Sequence, residues 1–350
     1  MNALPDFDGL LHWERLNAWL QLQAVPGSGP VTAVERLTGG SQNNLFVLTR
    51  GGERIVLRRP PKHLRANSNE TMLREARVLK ALAGSEVPHP RLYAACADES
   101  VIGACFYLMA PLEGFSPIGA LPGRYGTDPA WRAAMGPEFV RGAAALAAVD
   151  YKAAGLEGFG KADQWHARQV DRWRSQLEGY AKLPGYQGSS LPHVDEVGRW
   201  LADHLPADGR IGIIHGDYQF PNVMFSHEAP RITGLIDWEL STLGDPLLDL
   251  GWVLTSWAEP GDPPGRTPNV EPWDGFVPRA ELVRLYGERT GRNMDAMPWF
   301  FVLACYKLGC ILEGSYARAM AGQAPMDIGT RLHAYAVWLF TKARQLIAGT

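Results

Sequence analysis

Three polar side chains stand at the ends of apolar segments in the middle of the chain. The stretch "GIIHGDYQFPNVMF" reads as a strand entering a loop that holds Asp217 and Asn222, with a second strand leaving it. The next apolar segment, "RITGLIDWE", ends in another acid, Asp237. A simple hairpin, with Pro221 and Asn222 as its turn, accounts for the proline but leaves Asp217 without a task. Two acids and an amide at neighbouring strand ends form a set of hard oxygen donors that suits Mg²⁺, which keeps water and phosphate as its remaining ligands. The chemistry served by such a set is phosphoryl transfer, where a metal bridges the phosphates and a carboxylate positions the attacking hydroxyl.

The elements that must hold these groups are legible in outline. "LFVLTR" and "ERIVLRR" alternate apolar with polar residues and are joined by Gly51-Gly52, a two-residue hairpin signal. "SNETMLREARVLKALAG" follows as a helix, with Ser68 or Asn69 as its N-cap and Gly84 past its end. On that helix Glu70, Arg74, Arg77 and Lys80 form a solvated stripe, whereas Glu75 shares the apolar face with Leu79 and Leu82. A carboxylate turned toward a core needs a partner, and Arg58 in the strand "IVLR" offers one; the alternative is that Glu75 reaches water past the helix edge. "CFYLMAPLEG" is a further strand, ending at Pro111 and Gly114, and helical patterns dominate from there to the C-terminus.

"HGDYQFPN" resembles the catalytic loop of eukaryotic-type kinases. It is closer still to the "HGD" loop of the aminoglycoside phosphotransferase and choline kinase superfamily. "IDWE" then stands where those kinases carry DFG, and "GDPLLDLGW" is that superfamily's usual sequel. The resemblance implies an α+β, two-lobed protein-kinase-like fold: a small β-rich, nucleotide-binding N-lobe over residues 1–110, and a larger, mainly helical C-lobe over 111–350. It implies ATP and Mg²⁺ as cofactors, Asp217 as the catalytic residue that orients the acceptor hydroxyl and accepts its proton, and Asn222 and Asp237 as metal ligands. Arg58 takes the place of the kinase lysine and, fixed by Glu75, would face the phosphates. Gly39, Gly40 and Ser41 occupy the position of the Gly-rich loop, where an ordinary turn is the equal alternative. Ala110 and Leu112 lie where the linker meets the adenine. His215 and Asp249 are expected to brace the loop, and Asp245 to cap the helix after it.

Longer blocks, among them "VPHPRLYAACADESVIG" and "CYKLGCILEGSYARAMAG", look like the subgroup found beside or fused to acyl-CoA dehydrogenases. That likeness implies transfer of the ATP γ-phosphoryl to a hydroxyl of a small molecule, with a 4-hydroxyacyl-CoA thioester as acceptor. An antibiotic or choline-type kinase, or a silent nucleotide-binding protein, is the alternative. Arg168 and Arg172, at i and i+4 in "RQVDRW", and Arg318 would suit an anionic substrate; pairing with Asp171 or Glu178 on a solvated helix is the competing reading. Tyr306 and Lys307 either line the cleft or face solvent.

Composition narrows the classes. At 350 residues the chain is long enough for two lobes, and 46% hydrophobic with 20% charged residues describes a globular protein. A net charge of −3 gives no reason to expect nucleic acid, which would favour a basic patch or stripe. No apolar run comes near the ~20 residues that cross a bilayer, and the first residues do not form a secretory signal. The four cysteines show no CxxC pair and read as buried thiols of a cytoplasmic protein.

Overall fold

A computed structural model describes residues 4–37, 43–260, 262 and 269–349. Gly39, Gly40 and Ser41 lie outside the described residues. The N-terminal part holds α1 (Trp13–Gln21), β1 (Val31–Leu37), β2 (Asn44–Arg50), β3 (Glu53–Arg59), α2 (Ser68–Ala81), β4 (Leu92–Cys96) and β5 (Phe106–Met109). These strands form one antiparallel sheet in the order β1-β2-β3-β5-β4. Gly51 and Gly52 both take positive φ, 55° and 83°, as the tight β2–β3 turn demands.

Period-two alternation then divides the sheet. Phe46, Leu48, Ile55, Leu57, Phe106 and Leu108 pack on α1, in one core with Leu16 and Leu20. Val47, Val56, Tyr107 and Met109 face the other way, toward Met72, Ala76 and Leu79 of α2. Arg58 and Arg59 are consecutive, so they diverge: Arg59 donates to the carbonyls of Leu10 and Ile102, while Arg58 points at α2. The expected α2 is present, but Asn67 occupies its N-cap without a side-chain bond. Asn69 instead accepts from the Cys105 amide, and Ser68 from that of Arg65. The stripe read as solvated is partly a dock. Arg74 lies 4.1 Å over the Phe159 ring and donates to its carbonyl, and Arg77 donates to the carbonyls of Gly155 and Glu157.

The rest of the chain is mainly helical: α3 (Gly123–Thr127), α4 (Pro129–Ala147), α5 (Gln169–Gly179), α6 (Val194–Asp203), α7 (Leu247–Ser256), α8 (Arg279–Thr290), α9 (Met297–Met320) and α10 (Met326–Ala348). Short strands β7 (Gly212–Ile214), β8 (Val223–Phe225), β9 (Ile232–Leu235) and β10 (Thr242–Gly244) sit among them, and β6 (Gly119–Ala120) pairs in parallel with β11 (Val270–Glu271). The strands flanking "HGDYQFPN" are not a hairpin. β7 pairs with β10 and β8 with β9, so the loop passes from one ribbon to the next.

Helix α9 corrects the reading that no segment has membrane length. Its 24 residues are long and apolar enough to cross a bilayer, but 72% of its apolar window is buried inside the protein. It is the central core helix, packed against α5, α6, α7 and α10. All four cysteines are unpaired and buried.

Candidate active site

Gly216 follows β7 with φ 82°, and a Cβ there would lie 2.4 Å from the Leu240 carbonyl oxygen, so only glycine allows this turn. The turn is held from below by Asp249, in the first turn of α7. Its buried carboxylate accepts from the amides of His215 at 2.7 Å and Gly216 at 2.9 Å. Burial pushes the Asp249 carboxyl upward, and His215 and these amides oppose that shift. His215 packs on Trp238, and its Nε2 lies 2.9 Å from the Ile236 carbonyl, so it ties the loop to the segment carrying Asp237. Asp245 does more than cap α7. It accepts from the Leu247 amide and also pairs with buried Arg292 and with His166.

Asp217 emerges from this turn into a ring of donors. Its Oδ1 accepts from the Trp252 indole at 2.9 Å and the Gln219 amide at 2.6 Å, and its Oδ2 from the Asn222 amide at 2.7 Å. Asn222 also donates to the Asp217 carbonyl. Asp217 and Asn222 are therefore in direct contact, with the carboxylate's rotamer fixed by its neighbours.

Asp237 follows β9 in the left-handed region (φ 64°, ψ 64°), an uncommon conformation for a residue with a side chain. This backbone turns its half-exposed carboxylate toward the sheet, where Arg58 Nη2 meets Oδ1 at 2.7 Å. On its other side Arg58 Nε lies 3.0 Å from Glu75 Oε2, close enough for ion pairing though not aligned as a hydrogen bond. Glu75 is fully buried and also accepts from the Tyr107 hydroxyl at 2.9 Å. The helical phase that placed Glu75 on the apolar face thus corresponds to an Arg58–Glu75 pair, and Glu75 does not reach water.

Burial pushes the Glu75 carboxyl up to about 7, against the pull of Arg58 and Tyr107. Burial also works against the Arg58 cation, but Tyr107, Glu75 and Asp237 together hold its pKa above the ordinary arginine value. Glu239 is raised as well, by burial and then by Asp237. Removing Glu75 should leave a buried guanidinium with Asp237 as its remaining carboxylate partner. Glu75→Ala is therefore expected to lower unfolding stability by about 3 kcal/mol, the lower end for a broken buried pair, read by denaturant titration. A loss below about 0.5 kcal/mol would show that the pair adds nothing to the fold.

Between the sheet and these loops lies a cleft of about 600 Å³. Its walls include Val47, Val56, Met109, Ala110 and Leu112, with Arg58, Asn222 and Asp237 at one end. The Ala110 amide already donates to the Arg91 carbonyl, so Ala110 has only its own carbonyl to offer a base edge. A second hollow of about 480 Å³ is lined by Lys161, Arg168, Arg172, Asp171, Ser175 and Thr242. Arg168 precedes α5 and is pinned to the carbonyls of Asp163 and Lys161, and Arg172 lies over Trp173. Neither forms an ion pair among the described residues, so the expected alternative of pairing with Asp171 or Glu178 is absent. Arg318 lies elsewhere, exposed near the end of α9 beside Ser315. Tyr306 and Lys307 neither line the cleft nor face solvent; both are buried.

The model of the phosphotransferase enzyme family matches residues 33–297, which contain every group just described except Tyr306, Lys307, Ser315 and Arg318. The chain belongs to this family. Acyl-CoA dehydrogenase family member 11 of Rattus norvegicus is 32% identical over 320 residues, covering 88% of this chain but 39% of that protein. Acyl-CoA dehydrogenase family member 10 of Mus musculus is 30% identical over 308 residues, covering 87% of this chain and 28% of the relative. The chain thus spans well under half the length of these relatives. A Ralstonia eutropha structure described as an aminoglycoside phosphotransferase superposes with TM-score 0.80 at 33% identity, over 95% of this chain and 98% of that one. Choline kinase from Cryptosporidium parvum shares the fold at 14% identity and TM-score 0.59, over 96% and 93% of the two chains. The two-lobed kinase-like architecture is shared with these structures.

Tyr107, Gln219 and Trp252 were missed from the sequence, and Lys307 was named there for the cleft or for solvent rather than for the loop. For Tyr107 a signal existed: in "CFYLM" it shares a face with Met109, beside α2. Lys307, a lone cation in the apolar run "FFVLACYKLGC", was also visible as an anomaly.

Proposed function

We propose that this phosphotransferase moves the γ-phosphoryl of ATP to a hydroxyl group of a small molecule, with Mg²⁺ as cofactor. The observation that carries the reading is that Asn222 and Asp237 line one apolar-walled cleft together with Arg58, a cation held by Glu75, while Asp217 is in direct contact with Asn222. Asp237 and Asn222 would hold the metal. They supply one carboxylate and one amide oxygen, hard donors that suit an ion retaining water and phosphate as its other ligands. Among the described residues no group of three His, Cys, Asp or Glu gathers as an all-protein metal cage. Bound there, Mg²⁺ would neutralise charge on the transferred phosphoryl group. Arg58, anchored by Glu75, presents a second positive charge to the phosphates. Asp217, its rotamer set by Trp252, Gln219 and Asn222, orients the acceptor hydroxyl and takes its proton. In a loose transition state this positioning contributes more than proton removal does.

The acceptor we favour is a 4-hydroxyacyl-CoA thioester. Support comes from the names of the relatives and from the basic hollow, whose arginines lack carboxylate partners and suit an anionic substrate. Burial and the neighbouring Arg168 both lower the Arg172 pKa, the condition of a cation short of counter-charge. Replacing Arg168 and Arg172 together by alanine should raise KM for such an acceptor several-fold and leave kcat nearly unchanged, because these contacts serve ground and transition states alike. The effect should shrink at high salt. Steady-state assays of ADP release with hydroxyacyl-CoA, choline and an aminoglycoside test the reading. Efficient phosphorylation of either cationic acceptor, with the thioester ignored, would overturn the acceptor assignment and leave the kinase chemistry standing.

A further inference from the structure

Behind the catalytic loop, in the middle of core helix α9, lies a cation with no carboxylate in ion-pair contact among the described residues. Lys307 is 6% exposed, and its ammonium donates to the Gly216 carbonyl at 2.7 Å. The same ammonium sits 4.1 Å from the centre of the Trp252 ring and 5.6 Å from that of Trp173. Both principal contacts lead to Asp217. Gly216 is the residue before it in the chain, and the Trp252 indole is a donor to its carboxylate at 2.9 Å. The Gly216 peptide groups are thereby held from two sides: Asp249 takes the amide, and Lys307 takes the carbonyl.

Such a cation is costly to the fold. An ammonium withdrawn from water loses several kcal/mol of solvation, and well-packed apolar side chains commonly replace buried charges without loss. A methionine would fill the same tube of space in α9. A requirement for fixed positive charge and a fixed donor at the root of the catalytic loop accounts for the lysine, whereas packing alone does not.

We propose that Lys307 is a positioning residue for Asp217, holding the Gly216 carbonyl and the Trp252 ring so that the Asp217 carboxylate keeps the orientation needed to receive the acceptor hydroxyl. This rests on the kinase reading of Asp217. The charged groups around the ammonium are Asp217 on the loop, Asp249 on α7 and Arg172 on α5. Burial, joined by Arg172, pushes the lysine down to about 8 despite the opposing pull of Asp249 and Asp217. The charge on which the positioning depends is thus lost on the alkaline side, and kcat falls there. Stability moves oppositely. The folded-state pKa lies below the ordinary 10.5, so between about 8 and 10.5 the unfolded chain binds more protons, and this residue's contribution to stability rises with pH.

The experiment is kcat against pH for the full chain with MgATP and whichever hydroxyl acceptor supports turnover. Wild type should decline through an alkaline limb near pH 8. Lys307→Met should lose about tenfold to a hundredfold in kcat, as expected for a slightly displaced catalytic group, with KM for MgATP within about twofold and no such limb. Trp252→Phe keeps a ring under the ammonium but removes the donor to Asp217. It should lower kcat comparably, and the double variant should be no worse than the poorer single one. A wild-type kcat that stays flat to about pH 9.5, or a Lys307→Met enzyme with wild-type kcat and profile, overturns the proposal. Should Lys307→Met fail to fold, the wild-type profile and Trp252→Phe still decide. A wild-type protein that binds MgATP but phosphorylates no hydroxyl acceptor sinks the kinase reading and this proposal with it, a result distinct from an active enzyme that ignores Lys307.

Discussion

Asp217→Asn should leave MgATP binding intact and reduce turnover by about 10²–10⁴-fold, the range of a lost general base. The carboxylate sits at the root of the transfer reaction with no fold-level task of its own. Its oxygens serve Trp252, Gln219 and Asn222, all within the loop and α7. The asparagine cannot reproduce this ring, because one acceptor oxygen becomes an amide that faces the donors. One N–H loses its partner, at a cost of about 1–3 kcal/mol, so the variant should unfold at slightly lower denaturant while remaining folded at assay temperature. MgATP titration on the same preparation separates the two effects. Near-wild-type turnover in a folded Asp217→Asn protein would remove this residue from the mechanism.

Much of this site is legible in the sequence, because its signals are local. Asp217 and Asn222 lie five residues apart in one loop, Asp237 ends the next apolar segment, and Glu75 is betrayed by helical phase on a single helix. What was not legible depends on which elements meet. The alternation of β3 predicts that Arg58 and Arg59 diverge, but only the docking of the sheet over β9 shows Arg58 bridging Glu75 to Asp237. Arg74 and Arg77 carry the composition of a solvated stripe. They are spent on Phe159 and nearby carbonyls because the segment after α4 happens to pass beneath α2. The hairpin reading of "HGDYQFPN" fails for a related reason: β10, twenty residues further on, takes β7 as its partner. Arg168, Arg172 and Arg318 were grouped by sequence likeness, and the fold separates them, leaving the first two in one hollow.

The bridge made by Arg58 shapes the second large effect. Asp237 is shared between a metal it would bind and a guanidinium it already holds at 2.7 Å. Asp237→Ala removes full negative charge from the metal position, whereas Asn222→Ala removes only a dipole, so the first should weaken MgATP binding the more. The alanine also frees Arg58 from one of its two carboxylates, leaving more of its charge for phosphate. ATP without metal should therefore bind the Asp237→Ala protein at least as well as wild type, while the gain in affinity on adding Mg²⁺ collapses. Backbone strain complicates the alanine, since φ 64° is unfavourable for it by about 1 kcal/mol. Asp237→Asn is the control, because asparagine tolerates the left-handed region and removes charge alone. Calorimetric titrations of ATP with and without Mg²⁺ across wild type and both variants give the comparison. Equal MgATP affinity in wild type and Asp237→Asn would take the metal away from Asp237, and loss of metal-free ATP binding in that variant would show that freeing Arg58 does not help hold the phosphates.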